Sequence, residues 1–133
     1  AICLLLEGLH PEPNMFGDSA EEKAKIEMWN RRVELNVLMP VAQGFRNLTG
    51  FFKDRETVVK EWGEVAAADA KRAVEIFDAH LASNQFILGD RYCISDMTLA
   101  ITLGFAKNVG QDLLTSENIA RWHAEVTSRP AFS

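Results

Sequence analysis

The chain has 133 residues, of which 47% are hydrophobic and 25% are charged. This length and composition suit one globular domain with a buried core, and they exclude an intrinsically disordered segment. The 19 acidic residues outnumber the 14 basic ones, so a basic surface for nucleic acid is not expected.

The first 17 residues predict the end of one structural unit and a connection to the next. The apolar run from Ala1 to Glu7 is typical of a helix, which we expect Gly8 to end. This run is too short to cross a membrane, and it lacks the basic start and cleavage site of a signal peptide. Without a starting Met, it predicts that an upstream segment has been removed. Residues 9–17 contain two prolines, which favour an extended linker.

A long helix is predicted from about residue 20 to residue 47. Asp18 and Ser19 each offer a side-chain oxygen to the first turn, and each is followed three residues later by Glu. Pro40 lacks a backbone donor, which predicts a kink, and Gly50 is expected to end the helix. The apolar positions at helical spacing are Ile26, Trp29, Val33, Val37 and Val41.

A second helix is predicted after Asp54, which is expected to cap it. Its apolar stripe comprises Trp62, Ala66, Ala70, Ala73, Phe77 and Leu81. The large aromatic residues at helical spacing, namely Trp62, Phe77, Phe105 and Trp122, are interpreted as core.

The segment from Met97 to Ala106 is nearly free of polar residues, which predicts a central helix that is buried on every side. A last helix is predicted to begin near Thr115 or Ser116 and to end before Arg129-Pro130. No strand pattern competes with these helices. The sequence therefore predicts an all-α fold with a bundle of four to five helices.

Three stretches resemble the glutathione transferase family. They are Ala1-Ile-Cys-Leu-Leu-Leu-Glu7 with His10-Pro-Glu-Pro13 and Met15-Phe-Gly17, then Phe86-Ile-Leu-Gly-Asp-Arg-Tyr-Cys-Ile-Ser-Asp96, and finally Trp122 with Arg129-Pro-Ala-Phe132. With Glu27-Met-Trp-Asn-Arg-Arg-Val-Glu34, the resemblance covers essentially the whole chain.

The resemblance implies three regions. Residues 1–8 are a remnant of the last helix of an upstream thioredoxin-like domain, residues 9–17 are the interdomain linker, and residues 18–133 are the all-helical C-terminal domain. The family fold implies an orthogonal helix bundle around a central buried helix at about residues 94–108.

The start of the central helix departs from the family pattern, because Cys93 stands where the family usually has Ser or Thr. A thiol accepts hydrogen bonds more weakly than a hydroxyl does, so we expect a weakened cap. Asp96, three residues later, can still accept hydrogen bonds from backbone N–H groups at the helix start. Cys93 and Asp96 are therefore predicted to be a structural helix cap, not catalytic residues.

The resemblance also implies that the first long helix lines the pocket for an electrophilic substrate and faces the partner subunit. The candidate substrate-binding residues are Met28, Trp29, Arg31 and Arg32. The competing interpretation of this segment is a simple surface ion pair between Glu27 and Arg31, four residues apart.

The implied activity is the conjugation of glutathione to a small, mostly apolar electrophile by a homodimeric detoxification enzyme. In the family, a Ser, Tyr or Cys in the upstream domain stabilises the glutathione thiolate. We therefore predict no catalytic residue in this chain, and no activity of the chain alone. The alternatives are a non-catalytic helical adaptor for protein assembly, and an unrelated helical bundle.

Metal binding and redox chemistry are not expected. His10, His80 and His123 show no metal-ligand spacing. Cys3 and Cys93 fit neither a disulfide framework nor a zinc pattern, which favours a reducing compartment, namely the cytoplasm.

Overall fold

Six α-helices make up most of residues 1–132, the part of the chain that the computed structural model describes. They are α1 (Ile2–Leu9), α2 (Ala20–Val33), α3 (Met39–Thr49), α4 (Lys60–Leu81), α5 (Ile94–Asn108) and α6 (Glu117–Thr127). A π-helical segment, Glu34–Leu38, joins α2 to α3, and a 3-10 turn covers Pro130–Phe132. Within residues 1–132 there is no β-strand, apart from one bridge between Phe86 and Gly89. The predicted all-α fold is confirmed.

The first long helix begins and ends where the sequence predicts. Ser19 Oγ accepts a hydrogen bond from the Glu22 N–H at 3.1 Å, which caps α2. Gly50 follows α3 with a φ of 62°, the left-handed conformation that glycine tolerates.

A kink was predicted at Pro40. The helix instead changes from α-helical to the wider π-helical geometry just before this proline. A residue spacing of four drifts around an ordinary helix of 3.6 residues per turn, and a wider turn cancels this drift. Val33, Val37 and Val41 therefore remain on one face, and all three are fully buried.

The predicted start of the second helix is wrong. Asp54 lies in a turn between α3 and α4, and α4 begins only at Lys60, after Val59. The N–H of Val59 donates to Asn47 Oδ1 at 2.8 Å, so a side chain from α3 satisfies this donor at the start of α4. Asn47 is twelve residues away, beyond the reach of a local capping pattern.

The stripe on α4 is buried from Ala66 to Leu81, but Trp62 is not core, because it is 49% exposed. Its neighbour Gly63 faces α3 instead, and a Cβ at Gly63 would lie only 2.9 Å from the Cβ of Asn47. The missing side chain of Gly63 thus allows α3 and α4 to pack closely.

Helix α5 spans residues 94–108, as predicted, and packs against α2, the π-helical segment and α6. Leu99, Leu103 and Ala106 are buried in the core. The prediction of burial on every side is wrong, because Ile101 is 58% exposed. Neighbouring helices surround α5 only in part, and one apolar side remains uncovered within residues 1–132.

Helix α1 lies outside the core, since none of its residues is buried. The predicted stop at Gly8 is wrong: Gly8 lies inside the helix, which continues to Leu9. Among the described helices, none has the length and apolar character needed to cross a membrane.

Candidate functional site

The start of α5 is organised around the carboxylate of Asp96, which is completely buried. Its Oδ1 accepts from the Ile87 N–H at 2.9 Å and from Trp122 Nε1 at 2.8 Å. Its Oδ2 accepts from the Cys93 N–H at 3.0 Å and contacts the Cys93 thiol at 3.4 Å. One carboxylate therefore links α5, the loop before it and α6.

Burial raises the pKa of Asp96, and the hydrogen bonds from Ile87, Trp122 and Cys93 oppose this shift. Burial also raises the pKa of the Cys93 thiol to about 11, with the Asp96 charge as a second cause. A neutral thiol without solvent access is a poor nucleophile. The arrangement suits a structural role for both residues.

The four predicted substrate-binding residues on α2 do not form one surface. Trp29 packs inwards against α4, with its ring 5.6 Å from Phe77 and 4.3 Å from His80. The guanidinium of Arg32 lies 4.8 Å from the centre of the Trp29 ring. A cavity of about 290 Å³ is lined by Trp29, Arg32, Asn36, Ala73, Ile76 and Phe77.

Arg31 and Met28 lie elsewhere on α2. Arg31 makes ion pairs with Glu27 at 2.9 Å and with Glu34 at 2.8 Å, so its charge is already compensated. This is the surface ion pair between Glu27 and Arg31 that the sequence also allowed, with Glu34 as a second carboxylate. Met28 is 41% exposed, and Leu35 and Met39, which follow along the same outer side, are more exposed still.

A second apolar surface, which the sequence analysis missed, runs along the uncovered side of α5. We call it the α5 groove; it has a volume of about 550 Å³ and is lined by Cys3, Leu38, Ile94, Met97, Ile101 and Phe105, with two threonines. Met97, Ile101 and Phe105 recur every four residues. This spacing was the available signal for a separate helix face, but the general lack of polar residues in α5 obscured it.

An aromatic cluster continues the α5 groove at the C-terminal end of α3. The ring of Phe45 lies 6.1 Å from Phe105 and 5.4 Å from Phe51, and Phe51 is 65% exposed. Phe52 contacts both Phe45 and Phe51 edge-on. Aromatic and aliphatic side chains thus form a continuous apolar wall that a flat, uncharged molecule can contact.

His80 and His123 have structural environments, whereas His10 is exposed. Nε2 of His80 lies 2.9 Å from the Ile87 carbonyl oxygen. Burial, followed by the charge of Lys107, lowers the pKa of His123, which packs beside Trp122. Within residues 1–132, no group of three or more His, Cys, Asp or Glu side chains is arranged to hold a metal ion.

Comparisons with known proteins agree with the helical arrangement. Residues 60–130 match the family model of the glutathione S-transferase C-terminal domain. Glutathione S-transferase 2 of Saccharomyces cerevisiae is 30% identical over 134 residues, which cover 98% of this chain and 58% of that protein. Probable elongation factor 1-gamma 1 of Arabidopsis thaliana is 27% identical, with 100% of this chain and 32% of that protein covered.

Solved structures give the same result. The crystal structure of Gtt2 from Saccharomyces cerevisiae superimposes with a TM-score of 0.92 at 28% identity, covering 99% of this chain and 65% of that one. A Gtt2-class glutathione S-transferase of Vibrio parahaemolyticus has a TM-score of 0.85 at 33% identity, covering 99% and 63%. The chain thus spans less than two thirds of the length of these transferases.

Proposed function

Because this chain belongs to the glutathione S-transferase family, we propose that it is the helical domain of an enzyme that joins glutathione to an electrophilic, mostly apolar substrate. The α5 groove is the observation that carries this proposal. It is open, almost entirely apolar and continuous with the aromatic cluster around Phe45. Such a wall favours an apolar electrophile by removing its surface from water, without taking part in the reaction.

The remaining parts of the enzyme belong to an upstream thioredoxin-like domain. Helix α1 supports this, because all four of its leucines remain more than half exposed within residues 1–132. We propose that residues 1–8 end that domain, that residues 9–17 are the interdomain linker and that the helical domain follows from residue 18. The glutathione site and the thiolate-stabilising residue would lie in the upstream domain, so the chain alone would be inactive.

The outer side of α2, continued by the π-helical segment and the first residue of α3, is the proposed contact with a second subunit. Met28, Leu35 and Met39 are all more than 40% exposed within residues 1–132. An exposed apolar strip suits a homodimer interface. Sedimentation of the full-length parent tests this: Leu35→Glu should convert a dimer to a monomer, and a monomeric wild type would contradict the proposal. A cytoplasmic detoxification role is part of the same proposal.

The decisive experiment uses the full-length parent with glutathione and a chlorinated nitroaromatic. Ile101→Ala should raise KM for the electrophile at least about fivefold, because even one methylene group in a hydrophobic substrate pocket is worth about 1–3 kcal/mol. KM for glutathione should remain unchanged.

Ile76→Ala is the matched control, since Ile76 is also exposed but lines the cavity beside Trp29 and Arg32. If only Ile76→Ala raises KM for the electrophile, the substrate site lies at the cavity beside Trp29 and Arg32 and not in the α5 groove. Failure of the parent to bind glutathione would overturn the transferase proposal altogether.

The second candidate function is a non-catalytic adaptor in protein assembly. The likeness to an elongation factor 1-gamma, over the whole of this chain, favours it. An adaptor would need neither a glutathione pocket nor an upstream thiolate-stabilising residue. Calorimetric titration of the parent with glutathione separates the two functions, because only the transferase is expected to bind.

A further inference from the structure

The short segment Asn14–Gly17, between α1 and α2, is held from two opposite sides. On one side, the Glu7 carboxylate of α1 accepts from the Met15 N–H at 2.7 Å and from the Phe16 N–H at 3.0 Å. Both carboxylate oxygens are used, so the segment and α1 are joined by two charge-assisted hydrogen bonds.

On the other side, the same segment is joined to the start of α5. The Ile94 N–H donates to the Met15 carbonyl oxygen at 3.1 Å. Arg91 Nη2 donates to the carbonyl oxygen of Asn14 at 3.1 Å and to its Oδ1 at 2.7 Å. The two Arg91 contacts connect residues 77 positions apart in the sequence.

Arg91 is itself held by carboxylates at the start of α2. Its Nη1 lies 2.5 Å from Glu22 and 3.5 Å from Asp18, and its side chain is only 27% exposed. A planar guanidinium can bind a carboxylate and a carbonyl at the same time, which the point charge of a lysine cannot do equally well. Arg91 therefore joins three separate stretches: the linker, α2 and the loop before α5.

Helix α1 depends on these contacts, because no residue of α1 is buried and no core holds it against the bundle. We propose that Glu7 and Arg91 clamp the segment Asn14–Gly17 and thereby set the angle between α1 and the helical bundle. Arg91 is then a positioning residue for a reaction between two domains, a statement that rests on the proposed function. Reacting atoms must approach within about 3–3.5 Å, and a misplacement of about 1 Å can slow a reaction about 100-fold.

The clamp is tested on this chain without any ligand. Cys3 is exposed and Cys93 is buried, so a spin label reacts selectively at Cys3. A second label at the exposed Glu75→Cys on α4 then reports the distance between α1 and the bundle. Arg91→Gln should broaden the distance distribution, and Arg91→Lys should have a smaller effect.

Hydrogen exchange of the Met15, Phe16 and Ile94 amides is the second measurement. Arg91→Gln should accelerate it about tenfold, as expected for the loss of one charge-assisted hydrogen bond. Glu7→Gln, a smaller change within the same clamp, should accelerate exchange at Met15 and Phe16 in the same direction.

Arg121→Gln is the matched control. Arg121 also donates to two backbone carbonyls, those of Leu81 and Asn84, at 2.8 and 3.1 Å, but it lies away from the linker. It should change neither the label distances nor the three exchange rates. If Arg91→Gln leaves both unchanged in the folded protein, or if Arg121→Gln changes them equally, the clamp is refuted.

The kinetic consequence is tested in the full-length parent. Per folded molecule, Arg91→Gln should lower kcat about 10- to 100-fold and change KM for glutathione less than twofold, because the upstream domain alone would hold glutathione. A purely structural role would reduce the folded fraction and leave kcat per folded molecule intact. An inactive parent would refute the proposed function, whereas the label distances would still decide on the clamp.

Discussion

Replacing Asp96 by Asn should lower the free energy of unfolding by about 2–3 kcal/mol. The carboxylate accepts three N–H donors, from Ile87, Cys93 and Trp122, in a fully buried site. An amide has only one acceptor oxygen. If the amide oxygen takes the place of Oδ1, the NH₂ group of the amide faces the Cys93 N–H, which then has no acceptor. In the opposite orientation, the N–H groups of Ile87 and Trp122 lose their acceptor.

The magnitude follows from the better of these two orientations. At least one hydrogen bond to a charged acceptor is lost, which is worth about 1.5–3 kcal/mol, and a buried donor remains unsatisfied. For a domain of this size, this loss corresponds to a decrease in Tm of about 6–12 °C. Asp96→Ala leaves all three donors unpaired and should cost more, a large part of the total stability of about 5–15 kcal/mol.

Urea unfolding of this chain, followed by circular dichroism, measures the effect. Asp90→Asn is the matched control, because Asp90 lies in the loop before α5 but is exposed, and its change should be below about 0.5 kcal/mol. If Asp96→Asn lowers the free energy of unfolding no more than Asp90→Asn does, the buried carboxylate does not stabilise the fold in this way.

Three further predictions concern packing, thiol reactivity and pH. Gly63→Ala should be destabilising by about 1–2 kcal/mol, since its Cβ meets α3 at 2.9 Å, whereas Gly104→Ala, with nothing within 4 Å, should be neutral or stabilising in the same urea assay. A thiol reagent should modify the exposed Cys3 rapidly. It should modify Cys93 only after unfolding, because burial raises the pKa of that thiol to about 11, and rapid modification of two thiols per folded chain would contradict this. Burial lowers the pKa of His123, so the folded state binds this proton less tightly, and stability is lost as pH falls through the unfolded value of about 6.5. His123→Gln should therefore weaken the pH dependence of unfolding between pH 7.5 and 5.5, and an unchanged slope would refute the assignment.

Features that depend on a few neighbouring residues could be predicted from the sequence. Ser19 caps α2 because its side chain reaches an N–H three residues later. Gly50 ends α3 because glycine tolerates a positive φ. The apolar run from Met97 to Ala106 predicted a helix there, and the resemblance to the transferase family implied its bounds as they are found in α5. In each case, the interaction is complete within one or two helical turns.

The errors concern contacts with distant parts of the chain. Asp54 has a side chain suited to capping a helix, but it lies in a turn before α4. The Val59 N–H at the start of α4 donates to Asn47 instead, because α3 packs beside it. Trp62 and Ile101 have core-like spacing, yet both remain about half exposed, since no helix covers them within residues 1–132. An apolar pattern shows that a residue favours burial, but it does not show which surface buries it.

The all-α class and most helix boundaries could be predicted from the residue pattern, and the family from the resemblance of a few motifs. The tertiary structure alone decided the division of the candidate residues on α2 between two sides, the opening of the α5 groove and the attachment of Arg91 to the linker. The physical reason is the range of the interactions. Caps and helix periodicity act over three to four residues, whereas a groove or a clamp exists only after folding has brought segments as distant as Asn14 and Arg91 into contact.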